Sequence, residues 1–121
     1  MIKKLMQWPC KIDLVPVYAP YFDEANLLIA ADCTAFAYER FHTDFINNHI
    51  TLIGCPRHNC DTYTEKLTKI LSDNNILSIK VVRMDVPCCK DIENAVTQAV
   101  AACGKDIPVE TVLLTTYGKI L

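Results

Sequence analysis

The chain has 121 residues, of which 51% are hydrophobic and 21% are charged, and its formal net charge is -2 at pH 7. A chain of this length buries enough apolar surface to fold without disulfides, so we expect one domain over residues 1–121, with 1–10 as an N-terminal extension. This net charge argues against nucleic acid as a partner, because nucleic-acid-binding proteins usually carry a surplus of basic residues.

Apolar runs in the sequence are all shorter than the about 20 residues that a membrane-spanning helix needs. The first residues also lack the apolar core of a signal peptide. We therefore expect a cytoplasmic protein with no membrane partner. Its seven cysteines then indicate metal binding, thiol chemistry or burial, because a reducing compartment does not favour disulfides.

Five runs of residues are typical of β-strands. The first alternates polar with apolar residues and contains Pro16, which removes a ladder donor, so it predicts an edge strand. The second is continuously apolar, as in a central strand that is covered on both faces. The five predicted strands are 11–17, 27–31, 50–54, 78–84 and 109–116.

Three segments between these strands have helical spacing. Over 34–46, Phe36 or Ala37, then Phe41 and Phe45, recur at helical intervals and predict the first helix. The second helix begins near Asp61 or Thr62, and Thr62 forms a possible capping box with Glu65.

Asp91 can cap the third helix, and Gly104 fits its C-terminal end. Strands and helices therefore alternate along the chain. This order predicts an α/β fold: a three-layer, Rossmann-like open sheet of about five mainly parallel strands with helices on both faces.

Four cysteines follow three of the predicted strands: Cys33, Cys55 and the adjacent Cys88 and Cys89. The carboxyl ends of parallel strands meet at one edge, where open α/β folds bind ligands. The helices that follow begin there, a position that lowers thiol pKa values and favours thiolates. Converging thiolates repel one another unless a cation neutralises them, and four sulfur ligands match an iron–sulfur cluster or zinc. We therefore predict that these four cysteines are the ligands of a metal centre.

The fourth position in this ligand set has alternatives. Adjacent side chains often diverge, so one of Cys88 and Cys89 can be structural only. Cys60 and His58 lie in the loop after Cys55 and are possible replacements. The chain contains no tight pair of cysteines separated by two residues, which is the usual spacing of a zinc knuckle.

Other residues are weaker functional candidates. Asp32 and Asp85 follow two of the strands and suit acid or base roles, although aspartates there commonly cap turns. Cys103 shares the apolar face of its helix, and Cys10 is assigned no function. With three glycines, the sequence contains neither a dinucleotide fingerprint nor a phosphate-binding loop.

Several segments together resemble the C-terminal domain of iron–sulfur proteins of anaerobic bacteria and archaea, whose N-terminal part is a ferredoxin module with two 4Fe–4S clusters. The resemblance implies an anaerobic redox setting and identifies Cys33, Cys55, Cys88 and Cys89 as the matching cysteines. No ferredoxin-type cysteine run precedes residue 7, so we expect the two ferredoxin clusters to be absent from this chain. The segments are 7–9, 19–22, 27–33, 41–42, 52–56 and 81–89.

Three functions are compatible with these observations. The favoured one is an iron–sulfur (4Fe–4S) cluster-binding electron-transfer module, with zinc as the alternative metal. The second is a cysteine-thiolate redox or sulfur-transfer enzyme with Cys88 and Cys89 as nucleophile and resolver. The third is an interaction module that docks to a ferredoxin or another redox protein through Tyr18, Tyr21 and Phe22. Of the three, the second makes the chain an enzyme.

Overall fold

The structure is a computed structural model that describes residues 5–55 and 60–121, and the side chains of Cys60, Asp61 and Cys88 lie outside that description. The described residues form one sheet of four strands in the order β2-β1-β3-β4, and all three pairings are parallel. The strands are β1 (Ala25–Ala31), β2 (Ile50–Gly54), β3 (Ile76–Met84) and β4 (Val109–Leu114).

Helices follow the first three strands. α1 is a short helix, whereas α2 and α3 have 14 residues each. Short 3-10 turns at Pro20–Phe22 and Pro87–Cys89 precede β1 and α3, and a π-helical turn at His42–Ile46 precedes β2. The helices are α1 (Thr34–Ala37), α2 (Cys60–Asp73) and α3 (Lys90–Cys103).

The sheet separates two apolar cores, which confirms the predicted three-layer arrangement. On one face, α2 and α3 pack through residues such as Leu67 and Ile92 onto Ile29 of β1. On the other face, Phe41 and Phe45 cover the sheet. Every residue of β1 except Asn26 is buried, as expected for a central strand with layers on both sides.

The predicted edge strand at 11–17 is wrong. This segment makes one parallel bridge, between Lys11 and Ile53, and then turns, with the Val15 N–H bonded to the Lys11 carbonyl at 3.0 Å. The buried residues are Ile12 and Val15, whose spacing of three residues does not fit the two-residue period of a strand. The described sheet therefore has four strands instead of about five.

Residues before this turn lie along the outer edge of β2. The Gln7 side chain donates to the Thr51 carbonyl and accepts from the Thr51 N–H at 3.3 Å, as a neighbouring strand would. Further along, the Ile53 N–H donates to the Cys10 carbonyl at 2.8 Å, and the Ile12 N–H donates to the Ile53 carbonyl at 2.9 Å. An irregular segment thus satisfies polar groups that an open sheet edge would expose.

The single helix predicted over 34–46 is also wrong. The chain leaves helical geometry at Tyr38, which is extended with φ -116° and ψ 115°, before the π-helical turn begins. Phe36 is 92% exposed, whereas Phe41 and Phe45 are 2% and 3% exposed. The helical spacing therefore linked one surface residue, Phe36, with two core residues. The break in the helix at Tyr38 lets Phe41 and Phe45 reach the sheet.

The predicted helix ends are correct in part. Gly104 ends α3 in a left-handed conformation with φ 73°, as predicted. The N-cap of α3 is Cys89 rather than Asp91, which lies in the first turn, where its charge complements the helix dipole. Thr62 lies inside α2, which begins at Cys60, so the predicted capping box is absent.

We predict that Gln7→Ala lowers the free energy of unfolding by about 1–3 kcal/mol, because it removes the side-chain partner of two buried main-chain groups. Urea denaturation followed by circular dichroism measures this change. Met6→Ala is the control: Met6 is the next residue but is 68% exposed, and we expect a change below about 0.5 kcal/mol. Equal losses in the two variants would contradict the role assigned to Gln7.

Candidate functional site

The candidate site lies at the carboxyl edge of the sheet, where β1 and β3 are neighbours. The chain runs from β1 outward to β2 and then crosses back to β3, so the connections after β1 and β3 leave the sheet toward opposite faces. This reversal of strand order is the position at which open α/β sheets form a ligand-binding crevice. Cys33 follows β1 and Cys89 follows β3, so both border that crevice.

Cys33 is exposed and is the N-cap residue of α1. Its carbonyl accepts hydrogen bonds from the N–H groups of Phe36 and Ala37, both at 3.2 Å. The next residue, Thr34, is buried and donates from its hydroxyl to the Ala31 carbonyl at 2.7 Å. These bonds fix the turn that presents the Cys33 thiol at the end of β1.

Cys89 is the N-cap residue of α3 and is 2% exposed. Its N–H donates to the Val86 carbonyl at 3.1 Å, which closes the short turn after β3. The Cys89 side chain acts on the ionisation of Cys33, because hydrogen bonding to Cys89 lowers the Cys33 pKa. The cysteines that follow the neighbouring strands β1 and β3 therefore lie at the same edge of the sheet.

Cys55 directly follows β2 and is half-buried. Its N–H donates to the Tyr63 hydroxyl at 3.1 Å, which ties the end of β2 to α2. A β-carbon on Gly54 would lie 2.8 Å from the Tyr63 ring, so glycine is needed for the ring to pack there. A Cys55 thiolate acts on the ionisation of Cys33, which places both thiols along the same edge.

The electrostatics of the site disfavour a bare thiolate at Cys33. Partial burial raises the pKa of the Cys33 thiol, and the negative charges of Asp32 and of a Cys55 thiolate raise it further. A backbone hydrogen bond and the Cys89 thiol lower this pKa but do not outweigh the other effects. The expectation that its place at a strand end lowers the thiol pKa is therefore wrong for Cys33, since α1 is too short to supply a strong dipole.

The structure thus brings Cys33, Cys55 and Cys89 to one edge. In the described part of the chain, no three cysteine, histidine or acidic side chains are grouped closely enough to hold a metal ion. The side chains of Cys88 and Cys60, and all of His58, lie outside the described residues, so their predicted roles as ligands stay predictions.

Two other cysteines lie away from this edge. Cys103 is in the last turn of α3, where its thiol donates to the Val100 carbonyl at 3.2 Å and packs against the core. Cys10 lies beside β2, where its carbonyl pairs with Ile53. A structural role therefore accounts for both positions.

A small cavity of about 160 Å³ lies at the ends of β1 and β2, beside Cys55. Tyr63 falls in the second predicted helix and Lys11 in the first predicted strand, and nothing in the sequence pattern indicated that they would meet Asp32. Asp85, the other aspartate singled out from the sequence, is exposed and is not part of the lining. The lining residues are Lys11, Asp13, Asp32, Ile53, Gly54, Cys55 and Tyr63.

The fold and the site define an open α/β domain with a cysteine-bearing crevice. Residues 19–121 match the Rossmann-like domain family, and the chain belongs to that family. It is also similar to an uncharacterized protein of Archaeoglobus fulgidus, with 29% identity over 119 residues that cover 98% of this chain and 84% of the relative. No solved structure matches the chain. The predicted fold class is therefore confirmed, while the resemblance to iron–sulfur proteins stays a prediction.

Among the described residues, no helix is both long enough and apolar enough to span a membrane.

We predict that Asp32→Asn accelerates alkylation of Cys33 in metal-free protein at mildly alkaline pH. Removing this negative charge lowers the pKa of Cys33 and increases its thiolate fraction. In the wild type, the raised pKa moves the rise of the labelling rate to higher pH than for an ordinary thiol. Iodoacetamide labelling followed by peptide mass spectrometry measures both rates.

The matched control for this experiment is Asp85→Asn. Asp85 is exposed and follows the neighbouring strand, but its charge is not among those that act on Cys33. We expect the control to label at the wild-type rate. If both variants label at the wild-type rate, Asp32 does not hold the Cys33 pKa up.

Proposed function

We propose that this domain is an iron–sulfur cluster-binding redox module of the 4Fe–4S type, with ligands at the carboxyl edge of the sheet. Cys33, Cys55 and Cys89 supply three of the ligands, and Cys88 supplies the fourth, with Cys60 or His58 as its alternatives. The observation that carries the proposal is that the cysteines following three adjacent strands lie at one edge of the sheet, beside the switch-point crevice, and that Cys55 and Cys89 both act on the ionisation of Cys33.

The charges around the thiols support a cationic metal centre. Deprotonation of Cys33 is opposed by Asp32 and by a Cys55 thiolate. Metal ions remove this penalty, because they bind the thiolate form and neutralise its charge. Edge residues that repel one another as anions in the metal-free chain therefore become a favourable donor set when a soft metal is present.

The cysteines of the proposed centre are spread over three strand ends. Among the described side chains, no three cysteine, histidine or acidic groups are placed to hold a single metal ion. In a cluster each cysteine binds a different iron, which accommodates Cys55 at the end of β2 together with the Cys33 and Cys89 pair at β1 and β3. Zinc remains the alternative metal.

The protein around the proposed centre suits an electron-transfer role. When bound, an iron–sulfur cluster supplies one-electron transfer. Cys89 is buried at the start of the 14-residue helix α3, whose N-terminal dipole favours a thiolate and an anionic cluster. Cys33 is exposed, so one side of the centre lies near the surface. Burial on one side and access on the other are what an electron-transfer site needs.

A redox partner is part of this proposal. The similarity to domains that accompany a ferredoxin module implies a ferredoxin or another redox protein as the partner. Trp8 and Leu14 are 77% and 64% exposed and line an apolar cavity with Ile53. Ile53 also lines the cavity next to Cys55. This apolar surface beside the thiol edge, more than the predicted Tyr18, Tyr21 and Phe22, suits such a contact, because Phe22 is buried.

A thiolate enzyme is less well supported by the site. An activated cysteine nucleophile needs a lowered pKa, whereas the pKa of the accessible Cys33 is raised. Its partner Cys89 is buried, which excludes direct attack on a large substrate. The raised pKa makes Cys33 a poor nucleophile, whereas a bound metal would offset the same effect by neutralising the thiolate.

We predict that anaerobic reconstitution with ferrous iron and sulfide loads the wild-type chain with both elements and gives it the visible absorption of an iron–sulfur cluster. Cys33→Ala, Cys55→Ala and Cys89→Ala should each lose most of the bound iron, because each removes a ligand. Iron and sulfide analysis after desalting, together with the visible spectrum, measures the result.

The matched controls are Cys103→Ala and Cys10→Ala, which remove thiols that the structure places away from the edge. Both should retain wild-type iron. A colourless wild type without iron would overturn the proposal, and a chain that takes up zinc alone would replace the cluster with the alternative metal. Iron loss in the Cys103 variant equal to that in the Cys33 variant would refute the ligand assignment.

A further inference from the structure

The small cavity at the end of β2 is lined by charged side chains of both signs. Asp13 and Asp32 contribute carboxylates, Lys11 contributes an ammonium group, and Ile53 and Tyr63 contribute apolar surface. We propose that this cavity is a binding site for a small zwitterion, namely an α-amino acid with a short side chain. Such binding requires no metal, so it does not rest on the proposed cluster.

The volume of the cavity limits the size of its ligand. At about 160 Å³, the cavity has the volume of about five water molecules, each of which takes up about 30 Å³ in the liquid. Pockets for drug-sized ligands are larger, at about 300–1,000 Å³. The ligand therefore has few non-hydrogen atoms, as glycine, alanine and serine do.

The charges in the lining determine the chemical class of the ligand. Among the described residues, Lys11, Asp13 and Asp32 form no ion pair and no side-chain hydrogen bond. A ligand with a charge of one sign leaves the groups of that same sign without a partner. A zwitterion offers an ammonium group to the two carboxylates and a carboxylate to Lys11, and hydrogen bonds between charged groups are the strong ones.

The balance of charge predicts an order of affinity. Two carboxylates and one ammonium group make the lining anionic overall, which attracts cations and repels anions. A ligand that carries only an ammonium group should therefore bind better than one that carries only a carboxylate. A ligand with both groups should bind better than either.

The backbone places these charges on both sides of the end of β2. On the outer side, Lys11 makes a parallel bridge to Ile53, and the Lys11 carbonyl accepts two main-chain hydrogen bonds that close the turn containing Asp13. On the inner side, the Asp32 N–H donates to the Gly54 carbonyl at 2.9 Å. The end of β2 thus lies between a turn with both signs of charge and the single carboxylate that follows β1.

Helix α2 holds the remaining wall of the cavity. The Lys66 ammonium group donates to the Asp13 carbonyl at 3.1 Å, and the Tyr63 hydroxyl accepts from the Cys55 N–H at 3.1 Å. Main-chain contacts therefore fix the walls before a ligand arrives. A preorganised site loses little conformational entropy on binding, which a ligand with few atoms needs.

The test is an amide NMR titration of the full isotope-labelled chain, reduced, freed of metal by a chelator and kept at neutral pH. L-alanine is compared with ethylamine, which lacks its carboxylate, and with propionate, which lacks its ammonium group. We expect L-alanine to bind with a Kd of about 1 mM and to shift the amide signals of Asp32, Gly54 and Cys55. Ethylamine should bind about tenfold more weakly, and propionate more weakly still.

Variants assign each charge to a group of the ligand. Lys11→Met should remove the preference for L-alanine over ethylamine, because it removes the partner of the carboxylate. Asp32→Asn should weaken the binding of both compounds about tenfold. The matched controls are Lys119→Met and Asp85→Asn, which change exposed residues outside the lining and should bind as the wild type does. The dispersion of the amide signals shows whether each variant is folded.

Three results would overturn the proposal, and each comes from the wild-type chain. One is the absence of saturable shifts with L-alanine at tens of millimolar. Another is equal binding of L-alanine and ethylamine, which would leave Lys11 without a role, and the third is a set of shifts that lies away from the ends of β1 and β2. Failure of iron reconstitution leaves this experiment unaffected, because it uses metal-free protein.

Discussion

The structure depends on the parallel pairing of β1 with β2 on one side and β3 on the other. Ile29, at the centre of β1, pairs with Leu52 and with Val81, and all three are fully buried. A strand held along both edges and both faces cannot shift its register without moving its apolar residues out of the core. The carboxyl end of β1, and with it Cys33, is therefore fixed relative to the two neighbouring strand ends.

The fold was predictable wherever the pattern of apolar residues fits only one type of secondary structure. The continuously apolar run of β1 and the helical spacing of α2 and α3 follow from burial on one or both faces, and the structure agrees. The pattern failed at 11–17, where Ile12 and Val15 are buried by a turn. It failed again at 34–46, where Phe36 has the right spacing but lies in solvent. In both segments long-range packing decided the backbone, and local periodicity does not report such packing.

The location of the site was predictable from the sequence, but the directions of its side chains were not. Strand order and the positions of the cysteines were enough to assign Cys33, Cys55 and Cys89 to one edge of the sheet. The direction of each thiol depends on the turn after its strand, and these turns follow from contacts such as that of Tyr63 over Gly54. The raised pKa of Cys33 likewise depends on the folded structure, since partial burial, the charge of Asp32 and a Cys55 thiolate all raise it.

The charges at this edge oppose a thiolate and would be offset by a metal. Partial burial raises the pKa of Cys33, and Asp32 and a Cys55 thiolate raise it further. In the proposed cluster-bound state, the metal would hold Cys33 as a thiolate and neutralise its charge. Cys55 would then change from a group that opposes deprotonation of Cys33 to a fellow ligand, so the end of β2 has a different effect in the metal-free chain and in the proposed metal-bound one.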